Sequence, residues 1–233
     1  MGQVAGADEL ADIIAAGTFR GNDLDRYIVQ QKIQGETICV AMVFRQGNLR
    51  GKTSYRQIRE YPAFSGQATC RISISNKVAE DYLQKLLEHL DWHGVCQVDF
   101  VVEALTGRPY LIDINPRFWG SLVQGIASGV DFPHMVCEIA ANGDVQPVND
   151  FKEGVQTRWL GGELRGFLQH LTSTGKKGAF LRDFFRPVTS IECFDDFSLA
   201  DPLPFAAWGW DSLYRLVKFR GNKPHESLEG IWQ

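Results

Sequence analysis

Two short apolar segments carry polar side chains at alternate positions, and these side chains have the chemistry of a metal site. Gln97 and Asp99 are two residues apart in the first segment, and Asp113 and Asn115 are two apart in the second. Successive side chains of a strand point to opposite faces, so each pair shares one face of its strand. Carboxylate and amide oxygens are hard ligands of the kind that Mg²⁺ binds together with water and phosphate oxygens.

The length of the turn between the two strands decides whether these side chains meet. A three-residue turn places Asp99 opposite Asp113 and Gln97 opposite Asn115. Directly opposed carboxylates repel each other, and a bound cation would relieve that repulsion. A two-residue turn would place Asp99 opposite Ile114 instead. The solvated face of an ordinary hairpin would also explain the acids without any metal.

The chain continues with a proline and an arginine directly after the second strand. Pro116 has no N–H to donate and cannot extend a central strand. Arg117 follows with a forked cation suited to phosphate or carboxylate. The order acid, amide, proline, arginine therefore favours a binding site over an ordinary hairpin.

With segments 98–100 and 110–117 together, the sequence resembles the ATP-grasp superfamily, in the branch of carbamoyl-phosphate synthase-like and carboxylate–amine ligases. The resemblance implies that Asp99, Asp113 and Asn115 hold Mg²⁺ or Mn²⁺ that bridges the phosphates of ATP. Asp113 stands where the family usually has the longer Glu. Asn115 is thereby a catalytic residue as well as a ligand.

The same resemblance assigns the residues after the hairpin to the acceptor. Arg117 matches the catalytic arginine that faces the acceptor carboxylate or its acyl phosphate, and Ser121 contributes nearby. The reaction implied is phosphorylation of a carboxylate by ATP, followed by attack of an amine on the acyl phosphate. Side chains would act by positioning and by neutralising charge.

An upstream segment, residues 28–36, is similar to the strand–hinge–Gly-Glu segment that binds adenine and ribose in this family. The similarity places Gln30 near the adenine amino group, where the family often has an acid. By the same similarity, the backbones of Gln31 and Ile33 would hydrogen-bond to the adenine edge. The Glu36 carboxylate would accept hydrogen bonds from the ribose hydroxyls. Taken alone, the Gly-Glu pair is equally typical of an ordinary turn.

A looser similarity covers residues 56–62, with Gly66 beyond. Many carboxylate ligases of the family have an arginine-containing Tyr-Pro loop over the acceptor site. Arg56 and Arg59 would there meet phosphate or an acidic substrate. A solvated, charged loop explains the same residues.

The remaining elements follow from hydrophobic periodicity and from turn and cap residues. Strands are predicted over residues 27–31, 37–44, 49–55, 96–103, 109–115 and 156–160, with a loop over 195–204. Helices are predicted over 8–16, 76–92, 121–127, 133–142, 162–173 and 210–219. Strand 37–44 is apolar on both faces, which predicts cover on both sides. The fold class is α+β, an antiparallel sheet of ATP-grasp type with flanking helices.

The domain boundaries come from the resemblance. Residues 1–35 would be the tail of the ATP-grasp small subdomain with the adenine hinge, 36–145 the subdomain with the metal hairpin, and 146–233 a C-terminal extension. The family's Rossmann-like N-terminal domain, its glycine-rich flap and its phosphate-gripping lysines find no match. We therefore expect the C-terminal portion of a ligase. A noncatalytic nucleotide- or partner-binding module and one half of a split ligase are the alternatives.

Composition excludes other classes of protein. The chain has 233 residues, 44% of them hydrophobic, and a net charge of -4, which gives no support to a basic nucleic-acid binder. The sequence contains no run of about 18 apolar residues, and residues 1–10 lack the basic-then-apolar order of a secretory signal. Five dispersed cysteines indicate reduced thiols. We expect a cytoplasmic protein with small-molecule carboxylate and amine substrates, no nucleic acid or membrane partner, and a second copy or a separate N-terminal half as protein partner.

Two further clusters are weaker. His89 and His93 have a metal-ligand spacing, but no third ligand is evident, and a helix end explains them. An aromatic cluster near Trp208 and Trp210 lacks the interleaved basic residues of a base-stacking surface.

Overall fold

The computed structural model describes residues 6–15, 29–61, 67–172 and 191–218. The chain divides into two compact units, Met1–Ile33 and Gln34–Gln233. The first unit contains helix α1 (Ala7–Ala15), at the place its apolar spacing predicts. The proposed domain boundaries stay a prediction.

The second unit is built on a seven-stranded sheet with the order β5-β4-β1-β2-β3-β6-β7. Its strands are β1 (Gly35–Arg45), β2 (Asn48–Tyr61), β3 (Gln67–Ser73), β4 (Gly94–Glu103), β5 (Pro109–Asn115), β6 (Gln156–Arg158) and β7 (Ile191–Phe194). All neighbouring strands are antiparallel except β6 and β7. The mixed, mainly antiparallel sheet confirms the predicted fold class.

Helices flank this sheet. They are α2 (Lys77–His89), α3 (Leu122–Ala127), α4 (Phe132–Asn142), α5 (Leu160–Thr172) and α6 (Leu203–Lys218). Helix α2 begins where the N-cap residue Asn76 accepts a hydrogen bond from the backbone N–H of Ala79 at 3.1 Å. Asp131 caps α4 in the same way, and Gly143 ends it in the left-handed conformation.

Strand β1 is buried on both faces, as its sequence predicts. On one face Ile38, Val40, Met42 and Phe44 pack with residues of α2. On the other face Ala41 and Val43 pack against α4. The turn to β2 is Gln46-Gly47, and both residues have positive φ, 46° and 71°. That geometry belongs to the two-residue turn whose twist matches a hairpin.

Several predicted elements need correction. Strand β3 was not expected, because its sequence QATCRIS alternates polar and small residues and shows no apolar run. Residues 56–61 are the end of β2 and not a loop, and Pro62 and Gly66 lie outside the described residues. Residues 29–31 form no strand, and 27–28 are not described.

The C-terminal part also differs from expectation. Helix α6 begins at Leu203, seven residues before the predicted start, so it takes in the end of the predicted loop. Strand β7 directly precedes that loop and was not expected. Strand β7 was missed because it is only four residues long and depends on pairing with β6, which sequence periodicity does not report. The start of α6 was missed because Pro204, which favours a loop, lies in the first turn of the helix, where proline is tolerated.

Candidate functional site

Strands β4 and β5 bring the four predicted oxygen-bearing side chains together. Asp99 pairs with Asp113, and Gln97 pairs with Asn115, which confirms the predicted register. The prediction that a three-residue turn sets this register was wrong. Closer to the turn, Val102 pairs with Pro109, so the turn alone sets a register one residue different.

A β-bulge at Ile112 supplies the missing residue. Phe100 pairs with Leu111 and Asp99 with Asp113, which leaves Ile112 without a partner. The turn itself is closed by a hydrogen bond from the Glu103 N–H to the Arg108 carbonyl at 2.9 Å. Bulges are frequent beside functional sites because they re-aim side chains. This one aligns the two carboxylates.

Hydrogen bonds connect the four side chains. Gln97 Nε2 donates to Asp99 Oδ1 at 2.6 Å, and Asn115 Nδ2 donates to Gln97 Oε1 at 3.0 Å and to Asp113 Oδ2 at 3.2 Å. The backbone N–H of Ile114 donates to Asp113 Oδ1 at 2.9 Å. The amide hydrogens therefore point at the acids, and none of the described residues donates to Asn115 Oδ1.

This donor set fits a hard divalent cation. Two carboxylates and an amide oxygen converge on one sheet face, and Mg²⁺ typically takes few protein ligands and keeps room for water and phosphate. In the described part of the chain, no group of three or more His, Cys, Asp and Glu side chains could hold a metal. A metal site at the hairpin would therefore need an oxygen besides those of the two acids, and Asn115 Oδ1 is the candidate.

Cys39 contacts the Asp99 carboxylate from the adjacent strand. Its Sγ donates to Asp99 Oδ1 at 2.9 Å from the neighbouring strand β1. Burial, reinforced by the Asp99 charge, raises the pKa of the Cys39 thiol well above its ordinary value. Cys39 thus stays a protonated donor that orients the carboxylate.

The residues after β5 lie over the same sheet face. Arg117 is exposed, donates to the Phe118 carbonyl at 3.1 Å, and has no acidic partner among the described residues. The Ser121 hydroxyl shares a 2.5 Å hydrogen bond with the buried Tyr55 hydroxyl. Trp119 is buried, and its indole Nε1 has no hydrogen-bond partner among the described residues.

A cavity of about 430 Å³ joins these groups. Its walls include the hairpin residues Gln97, Asp99, Asp113 and Asn115, the following Arg117, Trp119 and Ser121, and a second group formed by Arg71, Trp159, Asp195 and Asp196. The cavity crosses several strands of the sheet, from β5 to the end of β7. The predicted metal ligands therefore share one cavity with Arg117 and Ser121.

Sequence reasoning missed the second group. Arg71 is 2% exposed, donates from Nε to Thr157 Oγ1 at 2.9 Å and forms an ion pair with Asp195. Burial lowers the pKa of the Arg71 guanidinium. Asp196 accepts hydrogen bonds from the Leu160 and Gly161 N–H groups, which begin α5. The one available signal was a charged residue, Arg71, between the apolar residues Cys70 and Ile72.

Arg56 and Arg59, the two arginines of β2 that the resemblance assigns to the acceptor, lie outside the large cavity. Arg59 is bound by Glu163, with Nε to Oε1 at 2.6 Å, and Arg158 pairs with the same carboxylate. Arg56 pairs with Glu36 at 2.9 Å on the surface. Both guanidinium groups therefore already have acidic partners. The contact of Arg56 and Arg59 with a substrate stays a prediction.

The predicted nucleotide contacts fall in the two units separately. Gln30, Gln31 and Ile33 precede β1 in the first unit, and the two glutamines are exposed. Glu36 belongs to β1 and lines a smaller cavity of about 240 Å³ beside Gln57. Their roles stay predictions.

No helix in the described ranges is long and apolar enough to cross a membrane.

Residues 23–163, more than half of the chain, match the model of a family described as "ATP-grasp in the biosynthetic pathway with Ter operon". The comparison with curated proteins found no match.

Among solved structures, the biotin carboxylase domain of thermophilic 2-oxoglutarate carboxylase bound to bicarbonate shares the fold. Its TM-score is 0.52 at 14% identity, over 65% of this chain and 36% of that chain. Biotin carboxylase from Campylobacter jejuni gives a TM-score of 0.45 at 18% identity, over 55% of this chain and 30% of that one. An L-amino acid ligase from Bacillus licheniformis gives a TM-score of 0.42 at 18% identity, over 62% of this chain and 39% of that chain. The match spans only about a third of the length of these three structures.

Proposed function

Because the chain belongs to the ATP-grasp family of the biosynthetic pathway with Ter operon, we propose that it is the nucleotide- and Mg²⁺-binding portion of an ATP-dependent ligase. The proposed reaction activates a carboxylate as an acyl phosphate, which an amine then attacks. A carboxylate oxygen bonds to the γ-phosphorus of ATP and ADP leaves; the amine nitrogen then bonds to the acyl carbon and phosphate leaves.

One observation above all supports this proposal: the bulge aligns Asp99 directly with Asp113, with Gln97 and Asn115 beside them. Two carboxylates held face to face repel each other unless a cation lies between them. Asp99, Asp113 and Asn115 Oδ1 would hold Mg²⁺ or Mn²⁺, which supplies charge neutralisation for the phosphates of ATP.

The chain's own residues supply the rest by positioning. Gln97 and Cys39 orient Asp99 through their hydrogen bonds. Arg117, exposed at the cavity and without an acidic partner in the described segments, would bind the acceptor carboxylate and the developing phosphoryl charge. Ser121 lies in the same cavity, and Gln30, Gln31, Ile33 and Glu36 are the proposed adenine and ribose contacts.

The test is ATP binding by calorimetry with and without Mg²⁺. The full chain should bind ATP more tightly with Mg²⁺, and Asp113→Asn or Asn115→Ala should reduce that gain at least about tenfold. Asp81→Asn is the matched control, because Asp81 is exposed on α2 across the sheet from the cavity. An affinity for ATP that Mg²⁺ does not change would refute the proposal.

A second measurement tests the reaction itself. ADP release in the presence of a carboxylate and an amine should stop in Asp113→Ala and Asn115→Ala within the complete enzyme. Unchanged turnover in these variants would remove the metal assignment. ATP binding without any carboxylate-dependent ADP release would favour a noncatalytic nucleotide-binding module.

A further inference from the structure

Gln97 lies at the centre of the hydrogen-bond network in the hairpin of β4 and β5. It is 4% exposed and stands between two predicted metal ligands, Asp99 and Asn115. An ionised carboxylate can only accept hydrogen bonds, so Gln97 must present its NH₂ group to Asp99. The Gln97 oxygen then faces Asn115, which must present its own NH₂ group in turn. Neither amide can turn over without placing an oxygen against another acceptor.

This alternation of donors and acceptors leaves the oxygen of Asn115 available. Asn115 Nδ2 donates to Gln97 Oε1 at 3.0 Å and to Asp113 Oδ2 at 3.2 Å. Asn115 Oδ1 accepts no hydrogen bond from any residue that the structure describes. Gln97 therefore holds Asn115 in the one orientation in which its oxygen can serve as a metal ligand.

Gln97 also limits what Asp99 can offer to a cation. Asp99 Oδ1 accepts hydrogen bonds from Gln97 Nε2 at 2.6 Å and from Cys39 Sγ at 2.9 Å, which together occupy both of its lone pairs. Within the described ranges, nothing donates to Asp99 Oδ2. A cation that takes both oxygens of this carboxylate must displace two hydrogen bonds, whereas a cation that takes Oδ2 alone displaces none. Asp113 is less restricted, because each of its oxygens accepts a single hydrogen bond.

Divalent cations differ in how they use a carboxylate. Mg²⁺ requires a compact octahedron of oxygens at about 2.1 Å and is bound by one or two carboxylates together with water. Ca²⁺ takes roughly 6–8 oxygens at about 2.3–2.6 Å, and a carboxylate often supplies it with both of its oxygens. An acid that can offer only one oxygen therefore favours the smaller ion.

We propose that Gln97, supported by Cys39, sets the metal specificity of the hairpin: by holding Asp99 Oδ1 and the Asn115 amide, it selects Mg²⁺ over Ca²⁺. Gln97 is then a positioning residue, which acts on the cation through its two neighbours. The inference rests on the proposed function, which supplies the metal site. A Gln97 that only supports the hairpin would change the affinities for both cations alike.

Competition between metals tests the inference without ATP and without turnover. Electron paramagnetic resonance distinguishes Mn²⁺ bound to the full chain from free Mn²⁺, and Mg²⁺ or Ca²⁺ is added until half of the bound Mn²⁺ is displaced. The wild-type chain should bind Mg²⁺ more tightly than Ca²⁺. Gln97→Met keeps the length of the side chain and removes both hydrogen bonds. In this variant the ratio of the two affinities should shift towards Ca²⁺ by at least about fivefold.

Three results overturn the proposal: an unchanged ratio in a folded Gln97→Met chain, a wild-type chain that prefers Ca²⁺, and a wild-type chain that binds no Mn²⁺. Gln84→Met is the matched control. Gln84 lies on α2, across the sheet from the cavity, and also donates to a carboxylate, that of Glu88, at 2.8 Å. The ratio should keep its wild-type value there, and a shift as large as that of Gln97→Met would also overturn the proposal.

Cys39 provides a second test if Gln97→Met does not fold. Cys39→Ala removes the other donor to Asp99 Oδ1 and should shift the ratio in the same direction. Cys39→Ser keeps a donor at this position and should restore the ratio. A ratio in Cys39→Ala equal to that of the wild-type chain overturns the proposal.

Failure of this inference and failure of the proposed function are distinguishable, because Mg²⁺-dependent ATP binding is measured on the same samples. If that binding persists in the wild-type chain while the variants leave the ratio unchanged, only the role of Gln97 is wrong. A preference for Mg²⁺ that Gln97→Met shifts, without any binding of ATP, keeps the role of Gln97 and removes the ligase assignment.

Discussion

At the hairpin end of the cavity, acids lie at the surface and meet across one pair of neighbouring strands. Asp113 is exposed, and its partners come from within 18 residues of sequence. Toward the other end of the sheet, both in the cavity and outside it, the charges are buried and come from distant segments. Arg59 and Glu163, outside the cavity, are 104 residues apart, and Arg71 and Thr157 are 86 apart.

The difference teaches which charges hold the fold and which serve binding. Glu163 is 2% exposed and is held by two arginines, so its ion pairs depend on the surrounding structure and support it. The opposed acids of the hairpin gain little from each other and are explained by a ligand. Removing charges at the two ends should therefore affect different properties.

The largest expected effect is on stability at the buried end. Glu163→Ala leaves Arg59 and Arg158, only 17% and 15% exposed, without their acid. We expect a loss of about 3–5 kcal/mol in the free energy of unfolding, measured by urea titration. Glu36→Ala, which breaks the exposed pair with Arg56, is the control and should cost less than about 1 kcal/mol. Equal losses of unfolding free energy in the two variants would mean that the buried and the exposed ion pairs contribute alike to stability.

The hairpin should show the reverse pattern. Asp113→Asn removes a carboxylate that faces Asp99, so the free energy of unfolding without Mg²⁺ should stay within about 0.5 kcal/mol of wild type. Mg²⁺ and ATP together should stabilise the wild-type chain against urea and leave the variant unchanged. A variant as unstable as Glu163→Ala would show that Asp113 is structural.

A smaller, local effect is expected at the buried thiols. Burial raises the pKa of Cys96, on β4, to about 11, and burial also raises the pKa of Cys70, on β3. Iodoacetamide at pH 8 should therefore modify the exposed Cys137 first. In Glu163→Ala, modification of Cys70 should accelerate severalfold more than that of Cys96, as mass spectrometry of peptides can determine. Equal acceleration would mean that the two ends open together.

The smallest effect is expected at an exposed pair outside the cavity. Hydrogen bonds from Arg50 lower the pKa of Asp144 to about 2. Because the carboxyl pKa is lower in the folded chain than in the unfolded chain, the ionised Asp144 stabilises the fold at pH values above its unfolded pKa. This contribution is lost as the pH falls through about 2. Arg50→Ala should return the pKa of Asp144 towards 3.8, followed by NMR, without a detectable change in the urea midpoint at pH 7. A shifted urea midpoint would show that this exposed ion pair contributes measurably to the free energy of unfolding.

The same contrast explains how far the sequence could be interpreted. The shared face of the hairpin side chains was predictable because period-two alternation determines which side chains of a strand point the same way, whereas their register depends on the bulge at Ile112, which the turn does not report. The opposite end was not, because the contacts of Arg71 and Asp195 depend on β3, β6 and β7, three short strands without a distinctive apolar pattern. The acidic partner of Arg59 could not be predicted for a related reason: Glu163 lies on α5, at a distance in sequence that no local pattern reports.

The bulge at Ile112 also bears on how this protein can change over generations. The turn of the hairpin and the pair of acids each require their own strand register, and the extra residue between them reconciles the two. Substitutions in the exposed turn therefore act on a segment whose register is separate from that of Asp99 and Asp113. Loop variation can accumulate at one tip of the hairpin while the chemistry at its base is inherited intact.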